Sequence, residues 1–211
     1  MPGLFITLEG IEGSGKSTQA VRLADALTEL GRSVVRTREP GGTPLAERIR
    51  HVVLDAKQEP VHPETELLLF LAARAQHVRA HIRPALDGGR IVVCDRFTDA
   101  TLAYQGGGRR VEPEILSRLC DWATGGLWPD RTYLLDLPVG TGIARARERP
   151  GGFGVDRMER QGKDFLESVR REYLAIANAH PKRVMVLDGS QGADSLAETI
   201  LSDVKSRLAG P

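Results

Sequence analysis

The sequence predicts a doubly wound α/β fold in three layers, with a five-stranded parallel sheet and helices on both of its faces. Three observations favour this fold. Five short apolar runs have the length of buried strands, helical patterns follow most of them, and a glycine-rich turn joins the first strand to the first helix. A chain of 211 residues can bury a sizeable core, and we expect one domain over residues 1–211.

The composition argues against several classes of protein. The formal net charge is +1, so no global field would draw the chain to nucleic acid or to an anionic membrane. The N-terminus lacks the pattern of a signal peptide, and no apolar run approaches the roughly 18 residues of a membrane span. Cys94 and Cys120 lack metal-ligand spacing and suit buried, reduced thiols. We therefore expect a cytoplasmic protein without nucleic-acid or membrane partners.

The first strand, residues 4–8, enters a loop that matches the phosphate-binding pattern G-x-x-x-x-G-K-[ST] at residues 10–17. A helical pattern leaves the loop and ends before Gly31. In such a loop backbone N–H groups face a phosphate, the Lys16 ammonium reaches the β- and γ-phosphates, and the Ser17 hydroxyl can ligate Mg²⁺. The pattern predicts a nucleoside triphosphate, with an ordinary glycine-rich turn as the alternative. The expected contacts are Gly10, Ile11, Glu12, Gly13, Ser14, Gly15, Lys16, Ser17 and Thr18.

The second strand, residues 33–37, is followed by a loop over residues 38–43 that contains one proline and two glycines. Thr43 and Pro44 are suited to begin a helix that extends to about Leu54. Ligands of open α/β sheets bind at the C-terminal edge of the strands, which makes this loop a candidate binding loop. A turn with solvated charges is the alternative.

A long helical pattern begins at Pro63 and is expected to end before Pro84. Arg74 lies close to the apolar stripe of this helix, one turn after Phe70. A buried guanidinium needs an anion, and a phenyl ring beside it offers a flat apolar wall, so the two residues are candidates for ligand binding. In the alternative, Arg74 extends to solvent.

The third strand delivers Asp95 and Arg96 to the C-terminal edge of the sheet. The Asp95 carboxylate can hold Mg²⁺ through a water, and the Arg96 guanidinium can clamp a phosphate. Further along the chain, Thr101, Tyr104 and Gln105 are three and four residues apart. One helical face would therefore present two hydrogen-bonding groups and one ring to a ligand.

The densest positive charge of the chain lies at about residues 145–160, where arginines alternate with a glycine-rich run. This composition suits a flexible lid that closes over a polyphosphate, and a solvated helix with surface ion pairs is the alternative. Trp122 and Trp128 are expected in the core or at its rim. The other predicted elements are strands over residues 90–94, 132–136 and 183–187, and helices over residues 114–123, over residues 164–179 and from 195.

These residues suit phosphoryl transfer to an acceptor that is already an anion. A nucleoside monophosphate is ionised near pH 7 because its second pKa is about 6, so its phosphorylation needs no strong base. The difficulty is to bring two anions together, which requires positioning and positive charge. The cations available are Mg²⁺, Lys16, Arg74, Arg96 and the arginines of the lid.

Five ordered motifs resemble those of the bacterial thymidylate kinases, which are nucleoside monophosphate kinases of the P-loop NTPase fold. The motifs lie at residues 8–18, 38–43, 70–74, 95–97 and 103–109, and the resemblance covers nearly the whole chain. It implies transfer of the γ-phosphate of ATP to dTMP, giving dTDP and ADP in dTTP biosynthesis, with Mg²⁺ and in a homodimer.

The resemblance also implies roles for individual residues around dTMP. Phe70 would stack on thymine, Arg96 would hold the phosphate, Glu12 would contact the sugar 3′-OH, and Tyr104 would fill the space of a ribose 2′-OH. With Lys16, the residues Glu12 and Arg96 count as catalytic. The full dTMP site would consist of Glu12, Arg38, Glu39, Pro40, Phe70, Arg74, Arg96, Thr101, Tyr104 and Gln105.

On the donor side the resemblance places Arg145 and Gln191 beside adenine, and makes Arg149 the catalytic arginine of the lid. The run that begins at Arg149 is longer and richer in glycine than is usual in the family. Arg147 and Arg157 therefore remain alternatives for the arginine that reaches the γ-phosphate.

Two other functions stay open at this point. Another nucleoside monophosphate kinase would share most of these residues. A GTPase switch or an ATP-driven partitioning protein would share only the phosphate loop. Against these, the sequence contains no Asn-Lys-x-Asp or Thr-Lys-x-Asp run for guanine and no basic stripe beyond the lid.

Overall fold

The structure is a computed structural model that describes residues 3–55, 59–148, 157–158 and 161–209. Its strands, in chain order, are β1 (Leu4–Glu9), β2 (Val34–Arg38), β3 (Ile91–Asp95), β4 (Arg131–Asp136) and β5 (Val184–Asp188). They form a five-stranded sheet in the order β2-β3-β1-β4-β5, and every pairing is parallel. The predicted sheet is confirmed, and β1, which leads into the phosphate loop, lies at its centre.

The helices are α1 (Lys16–Glu29), α2 (Pro44–Leu54), α3 (Pro63–His77), α4 (Arg83–Asp87), α5 (Thr98–Thr101), α6 (Pro113–Thr124), α7 (Val139–Arg147), α8 (Lys163–Ala179) and α9 (Ala193–Ala209). Two π-helical turns interrupt the regular pattern: Val78–Ile82 joins α3 to α4, and Leu102–Gly108 continues α5. As predicted, the Thr43 hydroxyl caps α2 by accepting the N–H of Ala46 at 3.2 Å. None of the described helices combines the length and apolarity needed to cross a membrane.

Alternating side chains of the strands divide the core between the two faces of the sheet. Ile6 and Leu8 are fully buried against α1 and α9. Phe5 points to the opposite face, where it packs with the π-helical turn before α4, while Leu134 of β4 packs against α8 on that face. The three layers predicted from the sequence are therefore confirmed. Cys94 and Cys120 are buried free thiols, as expected.

Three details differ from the sequence-based expectations. The long helix does not end before Pro84, because a π-helical turn precedes α4 and places Pro84 in its first turn, where a missing N–H breaks no helical hydrogen bond. The strands β2, β3 and β5 each begin and end one residue later than predicted. Trp122 is 77% exposed and so does not belong to the core.

The loops after three adjacent strands meet at one edge of the sheet. Beyond the strands themselves, the Arg96 N–H donates to the Leu8 carbonyl at 3.0 Å, and the Glu39 N–H donates to the Asp95 carbonyl at 3.0 Å. These bonds tie the ends of β1, β2 and β3 together where the predicted motifs begin.

Candidate active site

A cavity of about 200 Å³ opens where the loops after β1, β2 and β3 meet. Every residue that the resemblance assigns to dTMP lines this cavity, together with Lys16, Ser17 and Asp95. The structure thus brings together side chains from five separate segments of the sequence, residues 12–17, 38–40, 70–74, 95–96 and 101–105. The lining also includes four residues that were not predicted: Arg50, Leu54, Ala100 and Met158.

The phosphate loop depends on glycine at several positions. Gly10, Gly13 and Gly15 have φ angles of 137°, 74° and 95°, which L side chains rarely adopt. A Cβ on Gly13 would lie 2.2 Å from the carbonyl oxygen of Gly142, so the loop also needs glycine for close packing against α7. The phosphate loop ends at the N-terminus of α1, which has no side-chain cap. Its first N–H groups are therefore placed to receive an anion.

Lys16 is buried within the phosphate loop. Its ammonium donates to the Ile11 carbonyl at 2.7 Å and to the Ser14 hydroxyl at 3.3 Å. Burial, followed by the positive charge of Arg96, lowers the pKa of Lys16 to about 8. A polyphosphate in the loop would supply the negative charge that favours the protonated amine.

The two predicted magnesium ligands are in contact. The Ser17 hydroxyl donates a hydrogen bond to the Asp95 carboxylate. A hydroxyl oxygen beside a carboxylate is the hard-oxygen donor set that Mg²⁺ takes when phosphates and waters complete its octahedron. Among the described residues no cluster of three or more His, Cys, Asp or Glu side chains could hold a metal by itself. The donor set therefore fits a magnesium ion that arrives with a nucleotide.

Arg96 is the centre of a hydrogen-bonded network at the end of β3, and its φ of 69° lies in the left-handed region. Its Nη1 donates to the Gly10 carbonyl at 3.1 Å and to the Tyr173 hydroxyl at 3.3 Å. Its Nη2 forms an ion pair with Glu12 at 2.9 Å and contacts the Tyr104 hydroxyl at 3.2 Å. Burial would raise the pKa of Glu12, but Arg96 and Lys16 outweigh burial and lower it.

A second carboxyl, from Glu9, supports this network from inside the sheet. Glu9 is fully buried, accepts the Phe97 N–H at 2.6 Å, and accepts the Tyr173 hydroxyl at 2.8 Å. Burial, reinforced by the carboxylate of Asp99, raises the pKa of Glu9 to about 8. No role was predicted for Glu9, although a glutamate at the end of an otherwise apolar strand was a signal.

The opposite end of the cavity is built around Arg74. This side chain is 3% exposed, so the prediction that it lies near the buried face is confirmed and the solvent alternative is wrong. Its guanidinium donates to Glu39 at 2.6 Å, to the Thr101 hydroxyl at 2.8 Å and to the Phe97 carbonyl at 2.9 Å. Glu39 also contacts His77 at 3.0 Å. The anion that this buried arginine requires is therefore a residue of the predicted binding loop.

On the donor side, Arg145 lies beside the loop that was predicted to border adenine. Its Nη1 donates to the Gly189 carbonyl at 2.9 Å. Gln191, in the same loop, donates its backbone N–H to the Asp188 carbonyl at 3.1 Å. The contact brings two predicted adenine-binding segments together, one from the end of α7 and one from the start of the loop after β5.

The predicted lid is described only in part. The predicted lid spans about residues 145–160, and α7 includes its first residues up to Arg147, which is exposed. Arg149 lies outside the described residues. Arg157 is held by protein groups: its Nη1 is 2.6 Å from Glu66, and its Nε donates to the Val53 carbonyl at 2.9 Å.

Comparison with known proteins assigns the chain to a family. The family model for thymidylate kinase matches residues 8–200. The chain is 55% identical over 191 residues to thymidylate kinase from Ectopseudomonas mendocina, with 90% of each chain covered. It is 49% identical over 210 residues to thymidylate kinase from Geotalea uraniireducens, with 98% of this chain and 99% of the relative covered.

A solved structure agrees with this assignment. The crystal structure of thymidylate kinase from Ehrlichia chaffeensis superposes with a TM-score of 0.78 at 33% identity, covering 97% of this chain and 99% of that one. The superposition extends the agreement from the motifs to the sheet and helices that position them. The chain therefore belongs to the thymidylate kinase family.

Proposed function

We propose that the protein transfers the γ-phosphate of ATP to dTMP, giving dTDP and ADP. The observation that carries this proposal is the single cavity with a phosphate loop at one end and Phe70, Arg74 and Gln105 at the other. A mononucleotide fits such a cavity with its phosphate toward Lys16 and Arg96 and its base toward the aromatic and amide groups. The whole chain would act as one kinase domain.

The reaction would proceed by in-line transfer with little covalent chemistry for the protein to perform. The dTMP phosphate is already ionised at neutral pH, and the described residues that line the cavity include no histidine to act as a base. Ser17, and Asp95 through a water, would hold Mg²⁺, and the charge of this ion would offset that of the β- and γ-phosphates. Lys16 would bind the same phosphates, and Arg96 would hold the acceptor in line.

The remaining roles follow from the positions of the side chains. Phe70 would stack on thymine, Arg74 and Gln105 would contact its polar edge, and Glu12 would bind the 3′-OH. Tyr104 donates to both oxygens of Glu12, at 2.7 and 2.8 Å, which supports a ring packed against the sugar. The loop that includes Arg38, Glu39 and Pro40 would cover the monophosphate, Thr101 would support the base contacts, and Arg145 and Gln191 would border adenine. The catalytic lid arginine would be Arg149.

We also propose a homodimer in the cytoplasm. Adjacent helices α2, α3 and α6 carry exposed large apolar side chains, of which one is 77% exposed, and such surfaces favour association. The two buried free thiols are consistent with a reducing compartment. The exposed side chains are Leu45, Val52, Leu68, Ile115 and Trp122.

A coupled assay of ADP formation tests the proposed function. ATP with Mg²⁺ would be combined with dTMP, dUMP, dGMP, AMP or CMP, beside a blank without acceptor. We expect dTMP to be the best acceptor and dUMP a poorer one, because a single methyl group is worth about 1 to 3 kcal/mol of discrimination. Turnover without an acceptor, or none with any of them, would contradict the proposal.

A further inference from the structure

Glu66 is a buried charge at the base end of the cavity that none of the roles above explains. It lies on α3, one turn before Phe70, and is 0% exposed. Its Oε1 accepts from Gln105 Nε2 at 2.8 Å and from Arg109 Nε at 3.2 Å. Its Oε2 accepts from Arg109 Nη2 at 2.9 Å and pairs with Arg157 Nη1 at 2.6 Å. Four donors thus converge on one carboxylate.

These contacts keep Glu66 ionised. Burial would raise its pKa, but the hydrogen bonds from Arg109 and Gln105, the charge of Arg109 and the hydrogen bond from Arg157 outweigh burial and lower it. An ionised carboxylate can only accept hydrogen bonds. Gln105 must therefore turn the nitrogen of its amide toward Glu66, since the opposite orientation would set two oxygens against each other.

The fixed amide determines what Gln105 offers to a ligand. Gln105 lines the cavity and is 1% exposed, and its backbone is held where the Val111 N–H donates to its carbonyl at 2.9 Å. Within the described part of the chain, its Oε1 has no hydrogen-bond partner, while its Nε2 is bound to Glu66. The amide oxygen is thus the one acceptor that the side chain can offer to a base, and the second hydrogen of Nε2 can donate to a carbonyl oxygen of that base.

We propose that Glu66 is a specificity-determining positioning residue: by orienting the Gln105 amide, it makes the cavity select a pyrimidine with N–H at ring position 3. Thymine and uracil carry that N–H. Cytosine carries a lone pair there and would face the amide oxygen without a hydrogen bond. This inference rests on the proposed function, because it assumes that a pyrimidine nucleotide occupies the cavity.

The substitution Glu66→Gln tests the proposal because it should reverse the orientation of the neighbouring amide. The new side chain would keep its carbonyl toward Arg109 Nη2 and Arg157 Nη1 at the Oε2 position and place its NH₂ group toward Gln105, with loss of the 3.2 Å hydrogen bond from Arg109 Nε. Gln105 would then turn its oxygen toward that NH₂ group and its nitrogen toward the base. We expect the ratio of kcat/KM for dTMP to that for dCMP to fall by about tenfold or more.

Two controls separate this effect from a general loss of structure. The ratio of kcat/KM for dTMP to that for dUMP should not change, because both bases carry the N–H, whereas structural damage alone would lower turnover of all three acceptors together. Glu64→Gln, an exposed glutamate on the same helix, should leave both ratios unchanged. An unaltered ratio of dTMP to dCMP in a folded Glu66→Gln protein would overturn the proposal.

A measurement on the unaltered protein decides the orientation if Glu66→Gln does not fold. The side-chain amide of Gln105 would be observed by ¹H–¹⁵N NMR and assigned by its absence in Gln105→Met. We expect one amide proton to exchange slowly and to keep its shift when dTMP is added, because it stays bound to Glu66. Large shifts of both amide protons would overturn the inference. Failure of the unaltered protein to phosphorylate dTMP would instead contradict the proposed function.

Discussion

The two ends of the cavity satisfy their charges in different ways. At the base end, Arg74 and Glu39 have side chains that are each 4% exposed, and they pair with each other at 2.6 Å. At the phosphate end, Arg96 and Glu12 are 19% and 12% exposed, and the Lys16 ammonium is held by a backbone carbonyl of its own loop. At the base end Arg74 and Glu39 are already paired with each other before a ligand arrives, whereas a phosphate must replace partners at the other end.

This difference assigns distinct tasks to the two ends. Separating groups that are buried and paired with each other costs free energy. Such groups therefore suit recognition of a fixed shape and a fixed hydrogen-bond pattern. Groups held by exchangeable partners can move onto the phosphates as negative charge enters, which suits electrostatic stabilisation of phosphoryl transfer. We therefore expect substitutions at the base end to affect stability most, and those at the phosphate end to affect catalysis most.

The largest effect on stability is expected from Glu39→Ala. The substitution leaves the buried Arg74 without its carboxylate and removes the acceptor for His77, so the free energy of unfolding should fall by about 3 to 5 kcal/mol. Glu12→Ala is the matched change at the phosphate end and should cost only about 1 kcal/mol, because the side chain of its partner Arg96 is 19% exposed, against 4% for Arg74. Urea unfolding measures both. Equal losses of unfolding free energy in the two variants would contradict the difference between the two ends of the cavity.

The largest effect on catalysis is expected from Arg96→Ala. Loss of the cation that holds the acceptor phosphate should lower kcat/KM for dTMP. The expected decrease corresponds to a loss of about 2 to 4 kcal/mol of transition-state stabilisation. Steady-state kinetics measure the change, and the thermal unfolding midpoint shows whether the variant is folded. Arg32→Ala removes an exposed arginine after α1 and serves as the control. An unchanged kcat/KM in Arg96→Ala would remove this residue from the site.

Much of the phosphate end could be predicted from the sequence because its residues are close together along the chain or lie at strand ends. The loop that contains Lys16 and Ser17 is a single motif, and the topology of a parallel sheet places Asp95 at the same edge. The position of Arg74 also followed from helical periodicity. Local pattern and sheet topology were sufficient for these residues.

The supporting residues could not be predicted because their partners come from distant parts of the chain. Glu9 meets Tyr173 across 164 residues, and Glu66 meets Arg109 across 43 residues. Both glutamates stand beside apolar runs in the sequence, but the sequence does not say which side chain neutralises them. For the same reason the sequence left Arg157 open as an alternative contact of the γ-phosphate and did not indicate its pairing with Glu66.

The smallest effect, and the one that most directly tests exchange at the phosphate end, concerns Lys16. Burial lowers its pKa to about 8, so the amine is protonated below pH 8 and loses its proton as the pH rises above it. ATP binding favours the protonated form. The dissociation constant of ATP should therefore rise by up to about tenfold per pH unit above pH 8, or about 1.4 kcal/mol, and binding near pH 8 should take up a proton. Isothermal titration calorimetry in buffers of different ionisation enthalpy measures both quantities.

Lys16→Arg is the control, because a guanidinium keeps its charge in this range. The same pH dependence in Lys16→Arg as in the unaltered protein would show that another group titrates. Lys16 would then already be protonated before ATP binds.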